Sequence, residues 1–500
     1  MENTTKRYWK GVEELRNDPA FVKNANREFA NVNTADELDG VLGNNPQRRD
    51  FLKMMGFGMA AVSLAACETP VHKAIPYLNK PELTFPSISD YYASTFVDGG
   101  DSAPILVETR EGRPVKIEGN PQSSLTKGGT TARVQASILS LYDNEKLRGP
   151  KRGQADIEWA TADREILNQL TTVAGKGGAV RIVTGTILSP ATKAVVADFV
   201  AKYPTAQHIM YDANSAFGMV QANQSSFGKA VIPSYDFSKA KTIVSINADF
   251  LGTWISPLEY ARGYAQGRKI GGVGGGKKEM SRHYQFETGL SMTGANADYR
   301  SAIKPSQEGL VVSNLYNKVA AKLGGTAMAV PTITVPYLDK AAADLVAARG
   351  AALVVAGSND PNVQTAVNAL NSLLGSYAST ININTPVNYR QGNDVQMNAF
   401  VEAVKGGQVG AVLFFGANPV YNHPRGAELA QALPKVAVSV SFSDRADETA
   451  SLCKYITPAP HFLESWGDAE PKVGHYSIIQ PAITNIFKTR QFESDRKSVV

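Results

Sequence analysis

The stretch AVLFFGANPVYNHP, residues 411 to 424, begins as an uninterrupted apolar run and ends in a turn that contains Gly416, Asn418 and Pro419. A short apolar run closed by glycine and proline indicates a β-strand that is buried on both faces. The Gly-x-Asn-Pro turn then presents backbone N–H groups at the start of a helix, where a phosphate group can bind. The same turn also fits a plain connection before a helix, and the spacing leaves both interpretations open.

Similar apolar runs recur along the chain and alternate with helical patterns such as SPATKAVVADFVAKY. They are RIVTG (181–185), TIVSI (242–246), ALVVAG (352–357) and VAVSVSF (436–442). Apolar strands that alternate with helices predict an α/β fold with parallel sheets covered by helices. Ligands of such sheets bind at the carboxyl ends of the strands. The candidate ligand-binding loops are therefore INADFLGTW (246–254), AGSNDP (356–361) and FGANPVYNHP (415–424).

A smaller β-rich region precedes these units. Residues ILVETREGRPVKIEGNP, 105 to 121, alternate between apolar and polar and contain a Glu-Gly-Arg turn, which predicts a β-hairpin. We therefore expect a small β-rich region over residues 91–150 and the α/β region over residues 151–500. The preceding residues 67–90 contain four prolines and are predicted to form an extended linker.

Residues 1–66 are predicted to be an N-terminal extension that ends in an export signal. Arg48 and Arg49, followed after one residue by FLK, match the twin-arginine pattern, although glutamine replaces the usual Ser or Thr before them. Residues 54–66 are uncharged, and this run is shorter than the roughly 20 residues of a membrane span but fits a signal core of about 7 to 15. It ends in Leu-Ala-Ala-Cys67, which predicts a lipid-modified cysteine and a periplasmic, membrane-anchored protein. A buried amphipathic helix that ends near Cys67 is the alternative interpretation.

The composition excludes several kinds of site. The 51 basic and 46 acidic residues are interspersed and give a net charge of +5, so no nucleic-acid surface is expected. With only two cysteines, Cys67 and Cys453, the chain cannot hold a cysteine-rich zinc site, a disulfide framework or a cysteine-ligated iron–sulfur cluster. Cys453 is interpreted as a small buried apolar residue.

The order of the segments resembles the molybdopterin oxidoreductase superfamily. The hairpin is followed by a set of stretches that carry the resemblance: VKIEGNPQS (115–123), LYDNEKLRGPKR (141–152), IEWATADREI (157–166) and DETASLCKYITPAPHFLESWGD (447–468). Within the superfamily the chain is most similar to the B subunit of alternative complex III, a quinol-oxidising respiratory complex. The N-terminal YWKGVEEL with its internal twin-arginine signal resembles the form named TAT-variant-translocated molybdopterin oxidoreductase. The resemblance covers nearly all of the chain from residue 85 onward.

The sequence also departs from the active members of that superfamily. Their four-cysteine cluster site falls in a stretch that reads YYASTFVDGGDSAPILVETREG here (91–112) and contains no cysteine. By resemblance, the molybdenum ligand would fall in DANSAFGM (212–219), which offers Asp212 or Ser215. The resemblance further implies a ferredoxin-like second half that bears several clusters, and we expect this chain to be a fragment or the first part of a split subunit.

Two hypotheses follow. In the first, the chain is a lipid-anchored, non-catalytic scaffold without a cofactor of its own. Its partners would be an iron–sulfur domain, cytochrome c subunits and integral membrane quinol-oxidising subunits. In the second, it is a catalytic molybdopterin-dependent reductase of a small inorganic or sulfur substrate, with Asp212 or Ser215 as metal ligand. The dinucleotide would then bind at Asn247, Gly357, Gly416 and Asn418.

Overall fold

A computed structural model describes residues 88–98, 100–269 and 279–493, together with Pro19. The chain divides after Pro81, and the described residues other than Pro19 belong to the unit Glu82–Val500. The predicted export signal at Arg48 and Arg49, the lipidation site Cys67 and most of the linker 67–90 lie outside the described residues. They stay predictions.

The described strands are numbered in chain order. They are β1 (Asp90–Asp98), β2 (Asp101–Arg110), β3 (Arg113–Gly119), β4 (Lys151–Arg152), β5 (Ala155–Asp156), β6 (Ala179–Thr184), β7 (Ala206–Met210), β8 (Ile232–Tyr235), β9 (Thr242–Ile246), β10 (Arg282–Glu287), β11 (Tyr299–Ala302), β12 (Ala352–Ala356), β13 (Ile381–Val387), β14 (Val409–Phe415), β15 (Val438–Ser441), β16 (Tyr455–Ile456), β17 (Gly467–Lys472) and β18 (His475–Ile479).

The α-helices are numbered in the same way. They are α1 (Ala132–Ala136), α2 (Trp159–Gly175), α3 (Pro190–Lys202), α4 (Phe217–Phe227), α5 (Pro257–Arg268), α6 (Met292–Ala295), α7 (Glu308–Leu323), α8 (Leu338–Ala347), α9 (Pro361–Leu373), α10 (Asp394–Lys405), α11 (Pro419–Asn422) and α12 (Gly426–Ala432). None of the helices in the described part of the chain is long and apolar enough to cross a membrane.

Local sequence explains where several of these helices begin. The α3 helix has Pro190 at its first position and Ser189 as N-cap, whose hydroxyl accepts a hydrogen bond from the backbone of Thr192. The α9 helix repeats the arrangement with Pro361 behind the N-cap Asp360. Proline suits the first helical position because its missing N–H would have no partner there. Both helices therefore start directly after the loops that follow β6 and β12.

The larger sheet has seven strands in the order β5-β4-β16-β15-β14-β6-β7. Its five strands from β16 to β7 are parallel, and the short pair β4 and β5 is antiparallel at one edge. The chain proceeds from β6 outward to β7, whereas it proceeds from β14 in the opposite direction to β15 and β16. The strand order therefore reverses between β6 and β14, which is the place where open α/β sheets form a binding crevice.

A second parallel sheet has four strands in the order β11-β10-β9-β12. It reverses between β9 and β12, which pair in parallel from Thr242 and Ala352 to Ile246 and Ala356. Helices α7, α8 and α9 supply most of the apolar residues packed on one face. The other face packs on a separate cluster that contains Phe250 and Tyr260. The predicted α/β fold with parallel sheets covered by helices is confirmed.

Two antiparallel sheets complete the described fold. One is the meander β1-β2-β3, in which the predicted hairpin corresponds to β2 and β3 and turns at Glu111 and Gly112, with φ angles of 50° and 74°. Two consecutive positive φ angles are typical of the tight turn that matches strand twist. The other sheet, β18-β17-β13-β8, was not predicted. It joins segments far apart in the chain, and β13 meets β17 through the single pair Val387 and Lys472.

Candidate functional site

The first candidate site is the crevice between the carboxyl ends of β6 and β14. Gly185 follows β6 and Gly416 follows β14, and a Cβ atom on Gly185 would lie only 2.7 Å from the carbonyl oxygen of Gly416. Gly416 has a φ of +60°, which a residue with a Cβ atom rarely adopts. The two backbones thus approach each other closely where the strand order reverses. Gly416, predicted as a cofactor-binding residue, lies at the centre of this crevice.

Carboxylates of the protein already surround the helix start at this crevice. Asp468 accepts a hydrogen bond from the Ser189 hydroxyl and another, 3.3 Å long, from the backbone nitrogen of Ala191 at the first turn of α3. The Thr192 hydroxyl donates to Glu493. A helix N-terminus is the usual binding place for a phosphate because its N–H groups are unpaired and its dipole is positive. In this protein two carboxylates occupy that place.

An aromatic side chain also enters the crevice. The Phe492 ring stacks on Phe415 at the end of β14, with ring centres 4.3 Å apart and planes at 16°. It meets Phe442 edge-on at 4.9 Å. The segment that ends the described residues therefore packs across the carboxyl edge of the seven-stranded sheet. These contacts bury apolar surface and stabilise the segment in that position.

Asn418, the second predicted residue of this loop, is fully engaged. Its carbonyl oxygen accepts hydrogen bonds from the backbone and hydroxyl of Thr449, and its amide donates to Glu448 at 2.7 Å. The Thr449 hydroxyl in turn accepts from the backbone of Val420 at the start of α11. The amide therefore ties the loop after β14 to the segment before β16, and the start of α11 has a protein partner.

The second candidate site is the reversal between β9 and β12, where Asn247 and Gly357 lie. A Cβ atom on Gly357 would be 2.3 Å from the Asn247 carbonyl oxygen, so the two loops are in tight contact. The Asn247 side chain accepts from the backbone of Thr288 at 2.8 Å. The neighbouring cavity has a volume of about 110 Å³. Pockets for drug-sized ligands are usually about 300 to 1,000 Å³, so this cavity holds only a few water-sized groups.

Three residues with strained backbone line this small cavity: Asn247, Ile255 and Arg390, with φ angles of 51°, 53° and 52°. Positive φ angles are uncommon for residues other than glycine and rare for a β-branched residue such as Ile255. They persist only where the surrounding structure enforces them. The Arg390 guanidinium donates to the carbonyl oxygens of Asn214 and Thr253, both at 2.9 Å. Arg390 thereby fixes two loops around the cavity. Arg390 was not among the predicted site residues, because no local sequence pattern indicates a positive φ angle at an arginine.

The two predicted metal ligands have protein partners, and Ser215 lines the small second cavity. The Asp212 carboxylate accepts from the Thr186 backbone and hydroxyl, at 3.2 and 2.6 Å, and from the Gly392 backbone at 2.7 Å. The Ser215 hydroxyl donates to Asp394 at 2.8 Å. Within the ranges 88–98, 100–269 and 279–493, no group of three or more His, Cys, Asp or Glu side chains is arranged to hold a metal ion.

Cys453 is buried, as its interpretation as an apolar core residue predicts. Burial, with a smaller effect of the Asp447 charge, raises the pKa of its thiol to about 12. A thiol with such a pKa is protonated at neutral pH and is a poor nucleophile and metal ligand. Its position in the core confirms the interpretation.

Known proteins are similar to this chain in fold and in sequence. Acetylene hydratase from Pelobacter acetylenicus matches with a TM-score of 0.62 and 11% identity, over 81% of this chain and 68% of that enzyme. The menaquinone reductase, molybdopterin-binding-like subunit of Nitratidesulfovibrio vulgaris is 25% identical over 442 residues, or 77% of this chain. These similarities confirm the resemblance to the molybdopterin oxidoreductase superfamily.

The present chain spans 61% of the length of that subunit. No profile of a protein family matches the chain.

The resemblance implies a molybdopterin dinucleotide, and neither the acidic side chains at the first crevice nor the small size of the second cavity fits one. A pyrophosphate at α3 would meet Asp468 and Glu493, which repel it. The cavity beside Asn247 and Gly357 is too small for a nucleotide. No catalytic step is therefore assigned to a molybdopterin dinucleotide.

Proposed function

We propose that the chain is a non-catalytic subunit of a quinone-linked respiratory electron-transfer complex, of the type of alternative complex III. One observation carries the proposal: Asp468 and Glu493 accept hydrogen bonds at the start of α3, where a pyrophosphate would bind, and Phe492 stacks on Phe415 in the same crevice. In this role the chain scaffolds partners and moves no electrons. The partners are an iron–sulfur domain, cytochrome c subunits and integral membrane quinol-oxidising subunits.

The named relative supports the respiratory part of this proposal. It is called a molybdopterin-binding-like subunit of a menaquinone reductase, and thus works in a complex that handles a quinone. Its name describes quinone reduction, whereas the resemblance from the sequence favours quinol oxidation. The proposed scaffold role is the same for either direction.

Export and anchoring belong to the same proposal. Twin-arginine export through Arg48 and Arg49 suits a subunit that folds and meets its partners before it crosses the membrane. A lipid on Cys67 would hold the subunit on the periplasmic side.

The test uses the complex purified with its partners. Ser215→Ala and Asp212→Asn each remove a metal ligand of the catalytic alternative, and Asp212→Asn keeps an acceptor for Thr186. If the subunit is a scaffold, both complexes retain the quinol oxidation rate of the parent. A loss of about 100-fold or more in both variants, with the complex intact by gel filtration, would contradict the scaffold role.

A further inference from the structure

The crevice between β6 and β14 is only partly filled: a groove of about 630 Å³, with Gly185 and Gly416 in its lining, stays open to solvent. Five aromatic side chains form its walls: Phe96, Phe415, Phe462, Trp466 and Phe492. The volume lies within the range of roughly 300 to 1,000 Å³ that ligand pockets have. Trp466 leaves 62% of its surface exposed at this groove. An exposed tryptophan beside apolar walls is typical of a protein-binding surface, where Trp residues supply much of the affinity.

The charged residues of the groove are mainly acidic. Its lining includes four carboxylates and one guanidinium, Arg133, which already pairs with Asp98 at 3.2 Å and with Asp101. Of the remaining carboxylates, Asp444 pairs with Arg445 at 3.1 Å. Asp468 and Glu493 accept hydrogen bonds from hydroxyl groups and form no ion pair with any residue in the described part of the chain. The groove therefore has two carboxylates available to a cation.

His461 also lines the groove and adds no positive charge. Burial, followed by the nearby Lys146 charge, lowers the pKa of His461 to about 4, so its imidazole is neutral at pH 7. The potential of the groove at neutral pH is thus set by the acidic groups. An anionic ligand such as a nucleotide is repelled, and a cationic group is attracted.

A surface that combines aromatic rings with carboxylates suits an arginine side chain best. The guanidinium of arginine is planar, stacks on aromatic rings and forms two parallel hydrogen bonds with a carboxylate. An ammonium group is more strongly hydrated and gains less from the rings. The exposed Trp466 and the solvent-open groove favour a polypeptide over a small enclosed cation.

We propose that this groove binds an arginine-bearing segment of a partner polypeptide, with Asp468 and Glu493 as the charge partners and Trp466 as the apolar anchor. The inference rests on the proposed function in one respect, because it requires that no dinucleotide occupies the crevice. It assigns the surface through which a scaffold subunit would hold one of its partners.

The test measures binding of a fluorescent hexaarginine peptide to the full chain by anisotropy. The double variant Asp468→Asn, Glu493→Gln should weaken binding by about tenfold or more, and Trp466→Ala should weaken it similarly. Asparagine and glutamine each keep one acceptor oxygen for the Ser189 and Thr192 hydroxyls, whereas the acceptor of the Ala191 backbone is lost, so circular dichroism of each variant checks that the fold is retained.

The matched control is Asp156→Asn, Asp339→Asn, which makes the same change in net charge. These carboxylates lie outside the groove and are 84% and 86% exposed. We expect this control to bind the peptide as the parent does. The inference would be overturned if both double variants weakened binding equally or if the peptide did not bind. Tighter binding of GDP, an anionic nucleotide, than of hexaarginine would overturn it as well. Stoichiometric molybdenum in the same preparation would overturn the proposed function as well, whereas failed peptide binding by metal-free protein rejects the groove alone.

Discussion

At the scale of single residues, Lys146 and Glu464 form a buried ion pair, in contrast to the exposed ion pairs at the surface. Both side chains are 1% exposed and lie 3.1 Å apart, and Glu464 also accepts hydrogen bonds from the backbones of His461 and Ile486. These contacts join the segment after α1 to the segment before β17. Removing one charge of a buried pair leaves the other without compensation.

We therefore expect Lys146→Met to lower the free energy of unfolding by about 3 to 5 kcal/mol. Lys318→Met is the control, because its partner Asp339 is 86% exposed and surface pairs contribute about 1 kcal/mol or less. Urea unfolding followed by circular dichroism measures both. Equal losses in the two variants would contradict the account of the buried pair.

A second residue-scale prediction concerns pH. His461 has its pKa lowered to about 4 in the folded protein, and an unfolded histidine has a pKa near 6.5. The unfolded chain thus takes up a proton that the folded chain does not, so stability is fully present above pH 6.5 and declines as the pH falls toward 4. Between pH 7 and pH 5 this group alone should remove about 2 kcal/mol of unfolding free energy.

His461→Gln should reduce the difference between the unfolding free energies at pH 7 and pH 5 by that amount. A His461→Gln protein with the pH dependence of the parent would show that folding does not lower the pKa of His461.

At the scale of secondary-structure elements, the end of β3 depends on a glycine. A Cβ atom on Gly119 would lie 2.1 Å from the carbonyl oxygen of Gly128, so the strand and the following turn must separate if a side chain is added. Gly119→Ala should lower the free energy of unfolding by about 1 to 3 kcal/mol. Gly112→Asn, with no atom within 4 Å of the added Cβ and a φ of 74° that asparagine tolerates, should cost less. The reverse order of the two melting temperatures would contradict this packing.

The same scale shows what could be predicted from sequence. β9 coincides with the predicted run at residues 242–246, and β12 and β14 agree with theirs to within two residues. Strands buried on both faces are continuous apolar runs, and few other structures suit such runs. The sheet that contains β13 was not predicted, because ININTPV is largely polar and its pairing is bulged.

The candidate site was predictable in part for the same reason. Four predicted residues, Asn247, Gly357, Gly416 and Asn418, lie at the two strand-order reversals, since the carboxyl ends of parallel strands share one edge. The two carboxylates at the start of α3 in the first crevice were not predictable. Asp468 is 279 residues from Ser189, and Glu493 is 301 residues from Thr192. No local pattern links residues so far apart.

At the scale of the whole molecule, anchoring is the first prediction. Cys67→Ala should abolish labelling with radioactive palmitate and leave the precursor uncleaved, because the predicted acceptor thiol is gone. Cys453→Ala is the matched control, since it removes the other cysteine, which is buried. Labelling that persists in Cys67→Ala would refute the lipidation site.

The central claim is that this chain works without a pterin cofactor because its own carboxylates lie at the helix start where the phosphates of the dinucleotide would bind. The direct measurement is the molybdenum and tungsten content, by mass spectrometry, of the full chain purified from its native source, together with the pterin released by oxidation. We predict less than about one metal ion and one pterin per ten chains, because Asp468 and Glu493 repel the phosphates at the start of α3 and Phe492 narrows the crevice. One metal ion and a stoichiometric pterin per chain would contradict the account.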